Sequence, residues 1–208
     1  MGSKEYFDGV ARQWDTMRQS FFSEAVRETA YRTAGFLPGQ LVADLGAGTG
    51  FITGGLISQG IAVIAVDQSR EMLAILEERH DASGRLEVRA GEAERLPIAD
   101  RTVDYAFANM YLHHVEDPPV AIDEMARILK PGGKLIMTDL DEHTFTFLQT
   151  EQHDRWLGFN REDLQRWFAG AGLKNVQIDC VGQNCCAVSE GNCNERAAIS
   201  IFVASGEK

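Results

Sequence analysis

A doubly wound α/β domain on a mostly parallel sheet is what this sequence predicts, and three observations predict it. An apolar run at residues 41–43 ends in Asp44 and then in three glycines at alternate positions, Gly46, Gly48 and Gly50. Phe51-Ile52 and Leu56-Ile57 follow at helical spacing, so the layout is strand, glycine turn, helix. Strand-like and helix-like runs then alternate down the chain, as they do in βα crossovers. Finally, two strand-like runs at 176–181 and 197–203 have no helix between them, so the sheet should close in an antiparallel hairpin.

Residues 4–34 read as helix ahead of the first strand. Tyr6-Phe7, Val10, Trp14 and Met17 recur at helical spacing, and a second run over 23–34 opens with Ser23 as cap and Glu24 in its first turn. This segment either packs on the domain or forms a lid whose aromatics cover a ligand; periodicity alone favours packing. Residues 61–66 form a continuous apolar run ending at Asp67, an interior strand apolar on both faces. A helix is expected over 70–80, with Met72, Leu73, Ile75 and Leu76 inward and Ser69 as cap. Residues 86–90 alternate like a strand nearer an edge, and 103–108 form another strand. The spacing predicts a helix over 121–130 stopped by Pro131-Gly132-Gly133, a strand over 134–139 and a helix over 162–171. The seven strands so counted belong to one domain spanning 1–208, with a helical segment over 1–36 and the sheet core over 37–208. The long turn of the closing hairpin is expected to carry the cysteines.

Composition limits the partners. The 208 residues are 44% hydrophobic and 25% charged, an ordinary globular balance with enough chain to bury a core. A net charge of −11 argues against a broad phosphate-binding surface, so nucleic acid and anionic membranes are not expected as partners. No apolar run approaches the roughly 20 residues a bilayer requires. The N-terminus lacks a signal-peptide core, and Tyr6 breaks the myristoylation pattern. A cytoplasmic protein, monomer or homodimer, acting on a small molecule is expected. Cys180, Cys185, Cys186 and Cys193 fall in one C-terminal stretch, where a disulfide framework is not expected.

The glycine turn discriminates between nucleotides. A dinucleotide cradle wants Gly-x-Gly-x-x-Gly, but Phe51 stands where the third glycine belongs. A carboxylate at Asp44 would repel a pyrophosphate and suit a cation. Asp67, at the tip of the second strand, is placed to accept hydrogen bonds from ribose hydroxyls. A ligand with a ribose, a positive charge and no phosphate is S-adenosylmethionine; an NAD-dependent oxidoreductase is the alternative that this turn leaves.

Five motifs now carry a resemblance. Asp44-Leu45-Gly46-Ala47-Gly48-Thr49-Gly50, Asp67-Gln68-Ser69-x-x-Met72-Leu73 and Gly91-Glu92-Ala93-Glu94-x-Leu96-Pro97 are followed by Leu112-His113-His114-Val115-x-Asp117-Pro118 and Arg127-Ile128-Leu129-Lys130-Pro131-Gly132-Gly133. In this order and spacing they resemble the class I S-adenosylmethionine-dependent methyltransferases, in the small-molecule branch that includes the ubiquinone and menaquinone biosynthesis methyltransferases. The resemblance implies a Rossmann-like fold and an N-terminal helical lid carrying Tyr6, Phe7 and Trp14, with Tyr6 at the cofactor. It further implies that Gly46, Ala47, Gly48, Thr49 and Gly50 pass beneath the cofactor, with Asp44 towards its ammonium group. Asp67 would hold the ribose, Gln68 and Met72 would lie beside the adenine, and Glu92 and Ala93 would read its edge. Glu92 replaces the aspartate more usual in the family. Asn109 and Met110 would flank the reacting methyl group.

Methyl transfer needs alignment first, and a general base only if the nucleophile arrives protonated. His113 and His114 are the candidate bases, although the pair recurs in relatives with unrelated substrates and could simply shape its loop. Asp139 and Asp141 lie at the same end of the sheet, and His143 and His153 could line the same mouth. No metal site is expected. Trp14, Cys185 and Cys186 are candidate substrate contacts, since thiolates near the cofactor could hold trivalent arsenic. The alternatives to small-molecule methylation are therefore an arsenite methyltransferase and a non-catalytic S-adenosylmethionine-binding module.

Overall fold

The computed structural model describes residues 2–191 and 195–208, so Cys193 lies outside the described residues. The strands are β1 (Leu41–Leu45), β2 (Ala62–Asp67), β3 (Leu86–Ala90), β4 (Val103–Asn109), β5 (Leu129–Leu140), β6 (Lys174–Val188) and β7 (Arg196–Glu207). They form one sheet in the order β3-β2-β1-β4-β5-β7-β6. The first five run parallel, and β7 pairs antiparallel with both β5 and β6. This is the seven-stranded, doubly wound sheet with a C-terminal hairpin that the strand pattern predicts.

Side-chain alternation sorts the core into two layers. Ala43, Leu45, Ile64, Val66, Ala106, Ala108, Leu135 and Met137 face α6 (Pro118–Ile128) and α8 (Arg161–Gly170). Val42, Val63, Phe107 and Ile136 face the other way, onto α3 (Glu24–Ala34) and α4 (Phe51–Ser58). On that side too, Leu76 of α5 (Arg70–His80) packs on Ala65. Strand order reverses between β1 and β4, and the crevice at their carboxyl ends is the binding position in such sheets.

Four expectations are corrected. The N-terminal segment is three helices, α1 (Ser3–Val10), α2 (Trp14–Phe21) and α3, with Ser23 capping the last by accepting from Ala25 N–H. The helix expected over 121–130 begins at Pro118, whose missing N–H costs nothing in a first turn, and Asp117 caps it through Val120 N–H. It ends at Ile128, so Pro131-Gly132-Gly133 lies within β5 rather than stopping the helix. A short helix, α7 (Phe147–Glu151), carries no strong periodic signal and is absent from the sequence reading. Most consequentially, Cys185 and Cys186 lie on strand β6, with Cys180, and not in a turn. The polar Gly182-Gln183-Asn184 run reads as a loop, but a register shift between Cys180 and Asn184 absorbs it, with Gly182 at φ 77°.

Candidate active site

The glycine turn is built so that the chain can leave β1 beneath a ligand. Gly46, Gly48 and Gly50 all take positive φ (67°, 53° and 98°), which L side chains resist. A Cβ on Gly46 would also collide with the ring of Tyr111, which packs directly on that glycine. Asp67 ties the turn to β2: its Oδ2 accepts from Gly48 N–H and its Oδ1 from Ser69 N–H, both at 2.8 Å. The carboxylate still has acceptor capacity to spare.

A cavity of about 640 Å³ opens here at the switch point between β1 and β4. Its lining gathers Asp44, Gly46, Ala47, Gly48, Thr49, Asp67, Gln68, Met72, Asn109 and Met110, ten of the fourteen residues expected at the cofactor. Asp44 is buried, and Thr53 N–H (3.0 Å) and Oγ–H (2.6 Å) both donate to its Oδ2. No described group donates to Oδ1. Burial pushes this carboxyl up to about 7, against the pull of Thr53, so a cationic group in the cavity would be met by a site that gains its charge on binding. Gly50 lies just outside the lining, as the cap of α4. Glu92 and Ala93 line a separate polar cleft, which meets the first at Gln68 and Tyr111.

The N-terminal helices roof this cavity. Asp8 accepts from Ser69 Oγ–H at 2.6 Å, and Asp15 accepts from Thr49 Oγ–H and pairs with Arg79, both at 2.6 Å. Phe7, Trp14, Arg18 and Phe22 therefore face inward from the roof. Tyr6 departs from its expected place. It lines a second cavity and donates to Gln152 Oε1 at 2.9 Å, because its turn of α1 faces α7 rather than the glycine turn.

That second cavity, about 460 Å³, is walled by Tyr6, Phe7, Trp14, Phe21 and Phe22, and also by Leu140, Leu148, His113, His114, Asp154 and Cys185. Phe7, Trp14, Phe22, Met110 and His114 line both cavities, so the two spaces meet at these five side chains.

The histidines sit on a buried carboxylate. Asp139, wholly buried rather than solvated, accepts from His113 Nδ1–H at 2.6 Å and from Leu112 N–H at 2.8 Å. Burial alone would lower the His113 value, but Asp139 and then Asp154 raise it to about 9. His113 is therefore an imidazolium near neutral pH. Burial and this neighbouring cation hold His114 well below the ordinary imidazole value, so His114 stays neutral. Asp154, pushed up to about 6 by burial, lies 3.8 Å from His113 Nε2 and 3.9 Å from His114 Nδ1. These three groups bring one potential metal ligand each within 4.8 Å of one another. Asp141 is paired with Arg161 at 2.7 Å, and neither His143 nor His153 lines the two cavities.

Strand alternation separates the cysteines. Cys185 points inward into the second cavity, its thiol pushed up to about 12 by burial, whereas Cys186 and Cys180 are exposed. The described cysteines do not assemble a thiolate pair, and Cys186 is corrected from a substrate contact to a surface residue.

Sequence reading passed over Arg18, Phe22 and Tyr111. A signal for Arg18 was there: Trp14, Arg18 and Phe21 share one helical stripe, which puts a cation on the inward face.

Fold and cavity together define a nucleoside-binding doubly wound domain. Residues 43–137 match the family model described as "Methyltransferase domain". A demethylmenaquinone methyltransferase of Thermobifida fusca is 33% identical over 168 residues, 78% of this chain and 69% of the relative. A biotin biosynthesis bifunctional protein, BioHC, of Cellvibrio japonicus is 32% identical over 161 residues, 74% of this chain and 30% of that protein. Among solved structures, the putative methyltransferase in complex with the Trm112 methyltransferase activator of Haloferax volcanii superposes with a TM-score of 0.81. It is 21% identical, over 99% of this chain and 97% of that one. The chain belongs to the class I S-adenosylmethionine-dependent methyltransferases, and it is similar to the quinone-biosynthesis members. It spans between 30% and 59% of the length of three of the curated relatives that it matches.

Proposed function

We propose that this protein transfers a methyl group from S-adenosylmethionine to a small, apolar, ring-bearing acceptor. The observation that carries the reading is the junction of the two cavities: the larger presents Asp44, Asp67 and the glycine turn, the smaller is an aromatic chamber, and His114 is the titratable side chain common to both. The cofactor supplies a methyl group already activated on a sulfonium, so the chain's task is alignment and exclusion of water. Asp67 would hold the ribose hydroxyls, Asp44 the ammonium group, and Gln68 and Met72 the adenine, with Glu92 and Ala93 reached across Tyr111. Asn109 and Met110 would border the transferring group. Neutral His114 would accept a hydrogen bond from the acceptor and so orient it, and the His113 imidazolium between Asp139 and Asp154 would set the field around it. The demethylmenaquinone relatives favour a quinol-like ring over an arsenic acceptor, as does the lack of a thiolate pair among the described cysteines. A soluble cytoplasmic location, and action as a monomer or homodimer, complete the proposal; among the described residues no helix is long and apolar enough to cross a membrane.

Incubating the protein with S-adenosylmethionine and a panel of short-chain quinols, phenols and aromatic amines should release S-adenosylhomocysteine with at least one ring-bearing member. Release with arsenite alone would overturn the acceptor class. Tight S-adenosylmethionine binding with no turnover on any member would favour a binding module.

The Asp44 carboxyl gives this reading a pH signature. Its value near 7 lies above the ordinary 3.8, so the folded, ligand-free protein holds a proton that the unfolded chain has released. Stability without ligand should therefore fall as pH rises from about 4 to about 7. A bound ammonium group prefers the carboxylate, so affinity for S-adenosylhomocysteine should rise over pH 5.5–7 by up to about tenfold per unit and then level off. Calorimetric titration should show this slope for the wild type and a flat profile for Asp44→Asn.

A further inference from the structure

Arg18 is a charged residue of the cofactor cavity that its described protein partners leave incomplete. It is 6% exposed and lines the larger cavity. Its guanidinium lies 4.1 Å from the Phe51 ring centroid and 5.5 Å from that of Phe22, so the plane is fixed between two aromatics. Of five N–H donors, one reaches Phe22 O at 3.4 Å and one reaches Glu24 Oε1 at 3.1 Å. Nε–H is buried with no acceptor among the described residues. Glu24 is half-exposed and is shared with Arg27 at 2.6 Å, so one carboxylate serves two guanidinium groups and a positive charge is left over. Leaving a buried charged donor unpaired is costly, and structures seldom do so without a ligand to complete it.

The same cavity holds Asp44, a buried carboxylate with a free oxygen. A buried anion and an under-paired buried cation in one cavity suit a zwitterion, and an α-amino acid is the zwitterion that S-adenosylmethionine carries. We infer that Arg18 receives the α-carboxylate of the cofactor, so that the amino-acid half of that ligand reinforces the docking of the N-terminal helices that Asp8 and Asp15 already provide. This rests on the methyltransferase reading above. It also has a consequence for the acceptor. Trp14, Phe21 and Phe22, which wall the second cavity, belong to Arg18's own helix or adjoin it. A carboxylate that pins Arg18 therefore also steadies the wall of the acceptor chamber.

The test compares two probes with the same adenosine and thioether, S-adenosylhomocysteine and 5′-methylthioadenosine, of which only the first has the amino-acid half. Calorimetry should show Arg18→Gln weakening S-adenosylhomocysteine about 10- to 100-fold while 5′-methylthioadenosine changes less than about twofold, with Arg18→Lys in between. The unaltered second probe would show that the variant is folded. Saturating S-adenosylhomocysteine should slow tryptic cleavage within residues 1–36 in the wild type but not in Arg18→Gln, and 5′-methylthioadenosine should slow it in neither. Equal weakening of both probes, no weakening of either, or protection that persists in Arg18→Gln would overturn the inference. A wild type that binds neither probe would instead overturn the methyltransferase reading itself.

Discussion

Asp139→Ala is expected to destabilise the protein by about 3–5 kcal/mol, among the largest losses that one side chain here can cause. The carboxylate is fully buried at the end of β5, and it is the anchor of the whole segment that follows β4. Oδ2 accepts from Leu112 N–H at 2.8 Å and from Tyr111 N–H at 3.2 Å, while Oδ1 accepts from His113 Nδ1–H at 2.6 Å and Leu140 N–H at 2.8 Å. Truncation leaves those donors buried without acceptors and His113 without its counter-charge. The sign with pH follows from His113, whose folded value of about 9 lies above its ordinary 6.5. Its contribution to stability is complete below about pH 6.5 and is lost as pH rises through about 9. Urea denaturation at pH 6 should show the full loss for Asp139→Ala, and the gap from wild type should narrow by pH 9.5. A loss under about 1 kcal/mol at pH 6 would show that the segment is held by other means.

Asp139 also shows where sequence reading stops. The strands of the parallel core were legible because each is a short apolar run bounded by turn residues, and the alternation of strand and helix left few topologies to consider. The cofactor turn was legible for a different reason. Backbone conformation there demands glycine at set positions, and the charges of Asp44 and Asp67 constrain the ligand before any contact is known. The acceptor side had no such code. Asp139, His113 and Asp154 come from three separate segments, and their protonation is set by mutual burial that no local pattern encodes. Phe7, Phe22 and Met110 meet His114 only because the helices ahead of β1 fold back across the switch point. The cysteines misled for a related reason. Adjacency in sequence suggested a thiolate pair, whereas adjacency on a strand means opposite faces. A polar stretch that reads as a turn can lie in a strand when a bulge absorbs the mismatch, as at Gly182.

Asp67→Asn should reduce affinity for S-adenosylhomocysteine by about 100-fold or more, a cost of about 2.7 kcal/mol. The substitution is isosteric, yet it is not conservative at this position. Each carboxylate oxygen already accepts a backbone N–H, from Gly48 at 2.8 Å and from Ser69 at 2.8 Å. Whichever oxygen becomes the amide nitrogen, a donor is aimed at a donor, and either the glycine turn or the start of α5 must move. Burial also raises the Asp67 carboxyl above its ordinary value, against three backbone donors, so the carboxylate is poised to gain from any further donor, as a ribose diol would provide. The amide offers one acceptor oxygen where the carboxylate offered two. The prediction has a shape as well as a size. Asp67 serves the ribose, which S-adenosylhomocysteine and 5′-methylthioadenosine share, so Asp67→Asn should weaken both by similar factors. Arg18→Gln should weaken only the ligand with a carboxylate. Weakening of both probes in Asp67→Asn, beside weakening of one alone in Arg18→Gln, would locate the nucleoside and amino-acid halves at opposite ends of one cavity. An Asp67→Asn protein that bound both probes normally would leave the glycine turn without its assigned ligand.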